Sequence, residues 1–484
     1  MTELCFSTAT ELLGMLRRRE LSSRELLELE LARIAKHGKA LNAVVTLDEE
    51  RARHDAAAAD EELARGRVRG PLHGLPMTIK DTFETAGVRT TAGCPELSAH
   101  VPARDADAVA RLRRAGAVIF GKTNVPFMAG DWQSWNEIFG TTNNPWNAAR
   151  VPGGSSGGAA AAVATGETAL ELGSDIGGSI RVPSHWSGVF GHKPTWGIVP
   201  QRGHIPPLPG VISPPDLNVC GPIARSAEDL SLALDVLAGP GELDAAGWRL
   251  ELPPARRTRL ADYRVAACFH DDSFPIDAAV RAPLEAAVEE LRRGGARVQV
   301  LPKLPFDLRA ARRAYEALLF PLMGMSFPPA ALEALRELAA KAPAGDQSAM
   351  VLNARDMTAS HNDWLRANEE REQLRVLLHA QFKEFDVLLL PVNQLPAIPH
   401  MHEPPMPLRT LTVNGKTIPY TDLLSWICTA TMCKLPATVV PVGRSDGLPV
   451  GIQIVAAHLE DRTSLDFARR LAERTGGFTP PPGF

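Results

Sequence analysis

Short apolar runs of strand length alternate with helix-like stretches along almost the whole chain, and this alternation restricts it to an α/β fold. Ala43-Val44-Val45-Thr46-Leu47 predicts a buried strand, and Ala117-Val118-Ile119-Phe120 predicts another behind the helix-like run from Asp107 to Arg114. Strand signals return at Arg264–Phe269, Arg297–Val300, Asp386–Pro391 and Val450–Val455. Ahead of them, Leu12, Leu13 and Leu16, and then Leu26, Leu27, Leu29 and Leu31, recur at helical spacing and predict two helices. Thr8 with Glu11 and Ser22 with Glu25 fit the capping box, in which hydroxyl and carboxylate satisfy backbone donors at a helix N-terminus. The Pro- and Gly-rich stretch from Gly239 to Arg257 predicts a surface connection rather than a domain boundary. Residues 308–383 read as a helical insert, broken at Phe327-Pro328-Pro329 and Pro343-Ala344-Gly345 and placed to cover a pocket. Strands flank it, so one domain over residues 1–484 is expected, with no internal repeat.

Composition removes several function classes. The formal charge is −4 and the basic residues are dispersed, so no electrostatic footprint for nucleic acid is present and a small-molecule partner is expected. Six cysteines without a CxxC pair predict reduced thiols in a cytoplasmic protein. The opening residues lack a basic segment leading into an apolar run, and no apolar stretch reaches the roughly 18 residues of a membrane span. His73, His185, His192 and His204 lack HExxH or clustered Cys/His spacing, so structural hydrogen bonding is expected of them and no metal.

Three segments concentrate chemistry. Gly153-Gly154-Ser155-Ser156-Gly157-Gly158 sets two hydroxyls on a sharply turning backbone, although a Gly/Ser run by itself is more often a mobile turn. In Gly173–Pro183, the backbone N–H groups of Ile176, Gly177, Gly178 and Ser179 are able to converge on one point as an oxyanion hole, with the Ser179 hydroxyl at its end. The bland alternative is a glycine turn with a solvated serine. Gly74–Asp81 ends a strand-like run in Lys80, where desolvation would favour a neutral amine able to act as a base. Lysine's ordinary pKa is about 10.4, so a neutral amine near pH 7.5 asks about 4 kcal/mol of burial.

These segments, in this order, resemble the amidase-signature family, whose members use a Ser, cis-Ser, Lys triad. The lysine precedes the first serine by 75 residues, and that serine precedes the second by 24, as in the family. Similarity continues through Gly121–Asn124, Gly140–Pro145, Gly191–Thr195, Gly221–Ser226 and Gly447–Gln453, nearly the whole chain. The resemblance implies a single domain with a large central mixed β-sheet flanked by helices, a signature core at about 70–230 and a helical elaboration at about 308–383. It implies Ser179 as nucleophile, Ser155 as relay behind a cis peptide bond and Lys80 as base, with Ile176, Gly177, Gly178 and Ser179 as oxyanion donors. Ser156, Asp175 and Arg181 would then support the loops by hydrogen bonding. No cofactor is implied.

Asp131, Trp132 and Trp135 fall where relatives line the acyl pocket, and core packing of the tryptophans is as good a reading. Some relatives place a charged or amide residue after the loop arginine, where this chain has Val182. With Trp132, Trp135, Trp186 and the apolar run Leu318–Met323, this favours an uncharged, aromatic or long-chain amide. Two alternatives remain: the glutaminase-type subunit of a tRNA-dependent amidotransferase, and a catalytically silent binding protein, against which the intact triad counts. A homo-oligomer is left open.

Overall fold

The computed structural model describes residues 4–484; Met1, Thr2 and Glu3 of the opening segment lie outside the described residues. The predicted alternation becomes one 11-stranded sheet. Its strands are β1 (Val44–Leu47), β2 (Pro76–Lys80), β3 (Val118–Thr123), β4 (Leu170–Asp175), β5 (Phe190–Lys193), β6 (Val219–Ala224), β7 (Arg264–Ala267), β8 (Arg297–Val300), β9 (Val387–Pro391), β10 (Ala437–Ser445) and β11 (Leu448–Val455). They lie in the order β1-β3-β2-β4-β6-β5-β10-β11-β9-β7-β8. Pairing is parallel for β3-β2-β4 and for β9-β7-β8, and antiparallel from β4 through to β9. The sheet is therefore mixed, with helices on its faces.

Both N-terminal helices, Ala9–Arg18 and Ser23–Leu41, start at complete capping boxes on Thr8/Glu11 and Ser22/Glu25. The first predicted strand is in place but only half buried. It forms a sheet edge, pairing with β3 alone, so one of its sides stays open. No helix among the described residues is long and apolar enough to cross a membrane.

The insert folds as four helices, Leu308–Gly324, Pro329–Lys341, Ala349–Met357 and His361–Gln381; its first two breaks coincide with the proline-containing segments, and the third, at 358–360, has no proline. Proline removes an N–H donor and disfavours helical geometry in the residue before it. The helix Pro329–Lys341 buries no residue, whereas Leu308–Gly324 buries Tyr315, Leu318, Leu319 and Phe320. Within that apolar run Leu318 and Leu319 belong to the main core, with Leu322 and Met323 partly buried against it.

Several elements have no clear sequence signal. The helix Gly157–Thr165 is buried at all nine positions, so it shows no apolar stripe, and its two leading glycines read as a turn. The helix Leu424–Met432 is likewise buried all round. Both pack close to the Gly/Ser-rich loops.

Candidate active site

The centre of the site sits at the C-terminal end of β2. All five of that strand's residues are buried, and its register pairs Lys80 with Thr123. The Lys80 side chain is fully buried and lies within hydrogen-bond reach of two hydroxyls, 2.7 Å from Ser155 Oγ and 2.9 Å from Ser174 Oγ. Burial brings its pKa down to about 7, overcoming the opposing pull of Asp175. Lys80 is therefore substantially neutral at ordinary pH. Glu171, on the neighbouring strand β4, is raised to about 7 by the same cause.

Ser155 follows a cis peptide bond from Gly154. Backbone crowding explains the two glycines before it: a Cβ on Gly153 (φ +96°) would lie 2.4 Å from Pro183 Cα, and one on Gly154 would lie 2.5 Å from the Asp131 carbonyl. Ser156 ties this loop to the next. Its N–H donates to the Ser179 carbonyl at 3.1 Å, and its hydroxyl donates to the Ser174 carbonyl at 3.3 Å. Ser179 is thereby held beside the Ser155 loop with its side chain nearly buried. Among the described residues, no hydrogen bond joins its hydroxyl to that of Ser155. Such contacts commonly tighten only around a substrate.

The 175–181 turn is organised by one buried ion pair. Asp175 accepts from the N–H groups of Gly178 (3.0 Å), Ile180 (3.1 Å) and Arg181 (3.3 Å), and from the Arg181 guanidinium at 2.9 and 3.0 Å. Burial pushes the Asp175 carboxyl up, but Arg181 and these donors outweigh it and hold it below the usual carboxylate range. Arg181 spends its remaining donors on the Ile427 carbonyl, Thr431 Oγ1 and Gln453 Oε1. Because the Gly178 N–H is committed to Asp175, three of the four anticipated oxyanion donors are left: Ile176, Gly177 and Ser179. Ile176 and Gly177 are partly exposed, so a substrate oxygen has access to them.

The anticipated pocket residues are only partly together. Trp132 is buried, and its Nε1 donates to the Gly177 carbonyl at 2.8 Å while its ring lies 5.3 Å from that of Tyr420. Trp135 is more exposed and stacks on His402 at 4.7 Å. Asp131 anchors the loop: it accepts from the Trp132 N–H and the Tyr420 hydroxyl, both at 2.6 Å, and pairs with Arg409. Trp186, fully buried, donates to the Leu395 carbonyl at 2.9 Å and lies in the core.

Val182, expected to help exclude anionic acyl groups, packs against the loop from below. It is fully buried in the main core, beneath Gly178, and a Cβ added at Gly178 would lie 2.9 Å from its Cγ2. It stands in the first turn of the helix Arg181–Ser187, all of whose residues are buried. Val182→Arg is therefore expected to destabilise the fold by more than about 3 kcal/mol, since it would bury an unpaired charge. Urea unfolding reads this directly, and a variant of unchanged stability with altered substrate preference would return Val182 to the pocket wall.

The four histidines near the motifs are tied into the scaffold. His185 accepts from the Gly451 N–H at 2.7 Å and lies 3.1 Å from the Leu395 carbonyl, and His192 bridges Thr438 and Asp461. His73 meets the Ala59 carbonyl and His204 the Pro206 carbonyl. Among the described residues no group of three or more His, Cys, Asp or Glu is placed to hold a metal. Sequence reading missed Ser174, although it directly precedes Asp175, the contact of Gln453 with Arg181, although Gln453 ends one of the motifs, and also Tyr315, Arg409 and Tyr420, which lie far from them.

The fold, one mixed sheet with helices on its faces, is matched by comparison with known proteins. The Amidase family profile matches residues 25–465. The chain is 33% identical over 485 residues to a component of the glutamyl-tRNA(Gln) amidotransferase of Prochlorococcus marinus (strain MIT 9303), covering 96% of each. Among solved structures it resembles a vestigial protein complex that bears on the origins of an s-triazine catabolic enzyme, with TM-score 0.81 and 30% identity over 98% of this chain and 100% of that one. It also resembles the peptide amidase of Stenotrophomonas maltophilia, with TM-score 0.76 and 27% identity over 98% of each chain. The chain belongs to the amidase-signature family.

Proposed function

We propose that this chain cleaves the carbon–nitrogen bond of an amide through an acyl-enzyme on Ser179, with Ser155 as proton relay and Lys80 as base. The observation that carries this reading is the buried Lys80 amine, brought to about pKa 7 and set 2.7 Å from Ser155 Oγ. In this mechanism the neutral amine draws a proton from Ser155, which in turn takes the Ser179 proton as Oγ attacks the carbonyl. The carbonyl oxygen gathers negative charge and is met by the N–H groups of Ile176, Gly177 and Ser179. The proton returns along the same path to the departing nitrogen, and water then repeats the sequence on the ester. Ser156, Asp175 and Arg181 hold the loops in register, and no step calls on a metal or cofactor.

For the substrate, a neutral amide is supported by the pairing of the charges around the loops. Asp175 is taken by Arg181, Asp131 by Arg409, and Arg312 by Glu316 and Asp422. The second reading, a glutaminase-type subunit of a tRNA-dependent amidotransferase, is favoured by the curated relatives, which are 33% identical along 96% of the chain. A panel separates the two. Ammonia release from aryl, fatty and peptide amides exceeding that from glutamine is the expected outcome for an independent amidase. Preferential glutamine hydrolysis, together with co-purifying partner chains, would assign the amidotransferase role instead.

A further inference from the structure

We infer that Tyr315, supplied by the helical insert, is a positioning residue that aims one of the oxyanion donors. Its hydroxyl donates to the Ile176 carbonyl at 2.6 Å. That carbonyl and the Gly177 N–H belong to one planar trans peptide, in which C=O and N–H point in opposite directions. Holding the carbonyl against Tyr315 therefore turns the Gly177 N–H to the opposite side. Gly177 has no side chain to restrain this rotation. The next peptide is held independently at both ends: Trp132 Nε1 donates to the Gly177 carbonyl, and the Gly178 N–H donates to Asp175. The 176–177 unit lacks such a second clamp, so its orientation depends on Tyr315.

The phenol is well placed to set a direction. Tyr315 is fully buried, and burial keeps its hydroxyl protonated by pushing its pKa well above the usual range. Its helix, Leu308–Gly324, starts at Asp307, which caps the Arg309 and Ala310 N–H groups. Arg312, one turn before Tyr315, pairs with Glu316 and Asp422 and lies over the Phe274 ring. The insert, which carries none of the family motifs, thereby gains a function: it fixes a donor direction from outside the signature core.

This inference rests on the Ser179 reading, and its test separates the two. Tyr315→Phe keeps the ring and removes the donor. It is expected to lower kcat on an amide by on the order of tenfold, less than the hundredfold or more for deleting an oxyanion donor outright, with KM unchanged. Affinity for a boronic acid, which forms a tetrahedral adduct on the nucleophile, should fall by the same factor. Tyr315→Trp, unable to place an oxygen at that point, should show the same paired loss if it folds. A purely structural role would lower the melting temperature without coupling kcat to boronate affinity. An unchanged kcat and boronate affinity in Tyr315→Phe, or a change confined to KM, overturns the inference while an inactive Ser179→Ala leaves the catalytic reading standing. Full turnover in Ser179→Ala overturns both.

Discussion

Ser179→Ala is expected to reduce amide turnover by on the order of 10⁵-fold or more while leaving the fold intact, because in the proposed mechanism it removes the attacking oxygen. Residual catalysis would come only from binding and the oxyanion donors. The stability change should be small. Ser179 is nearly buried, but its hydroxyl makes no protein hydrogen bond among the described residues, and alanine opens no large cavity. Circular dichroism and thermal melting check the fold, and mass spectrometry after fluorophosphonate treatment locates the adduct. An adduct on Ser155 or Ser156 would reassign the serine roles, and unchanged turnover would remove Ser179 from the reaction.

The second large effect concerns the proton path. An amide nitrogen must be protonated as it leaves, whereas the oxyanion of an activated ester departs unaided, so in the proposed mechanism an amide needs Lys80 as acid as well as base. Lys80→Ala is expected to lower amide turnover further than that of a matched ester, within a general acid–base effect of about 10² to 10⁴. In the unaltered protein the rate should fall as pH drops through about 7, because the buried amine is neutral above that value and charged below it. That limb should disappear in the variant. Glu171 is the physical competitor, since burial raises it to about 7 on the adjacent strand. Equal losses for amide and ester, or an acidic limb that survives without Lys80, would show that another group moves the proton.

The fold class and the order of the chemical segments were legible because each depends on local pattern. Strand-length apolar runs, capping boxes and proline breaks act over a few residues, and the capping boxes at Thr8 and Ser22 and the breaks in the insert appear where the pattern places them. Lys80, Ser155 and Ser179 were legible as types in order, and the structure brings the first two within 2.7 Å. Local pattern fails where burial is complete. The helices Gly157–Thr165 and Leu424–Met432 are buried all round and show no stripe, and Val182 gives no sign in sequence that it points into the core. Nor does a linear pattern reveal which donors are already used: the commitment of the Gly178 N–H to Asp175 arises only when the turn closes. The sequence by itself determined an α/β sheet and the residue types proposed to carry the chemistry. Tertiary structure alone decided the pKa of Lys80, the partners of Asp131 and the reach of Tyr315 to the Ile176 carbonyl, because desolvation and hydrogen bonding depend on neighbours up to 289 residues away.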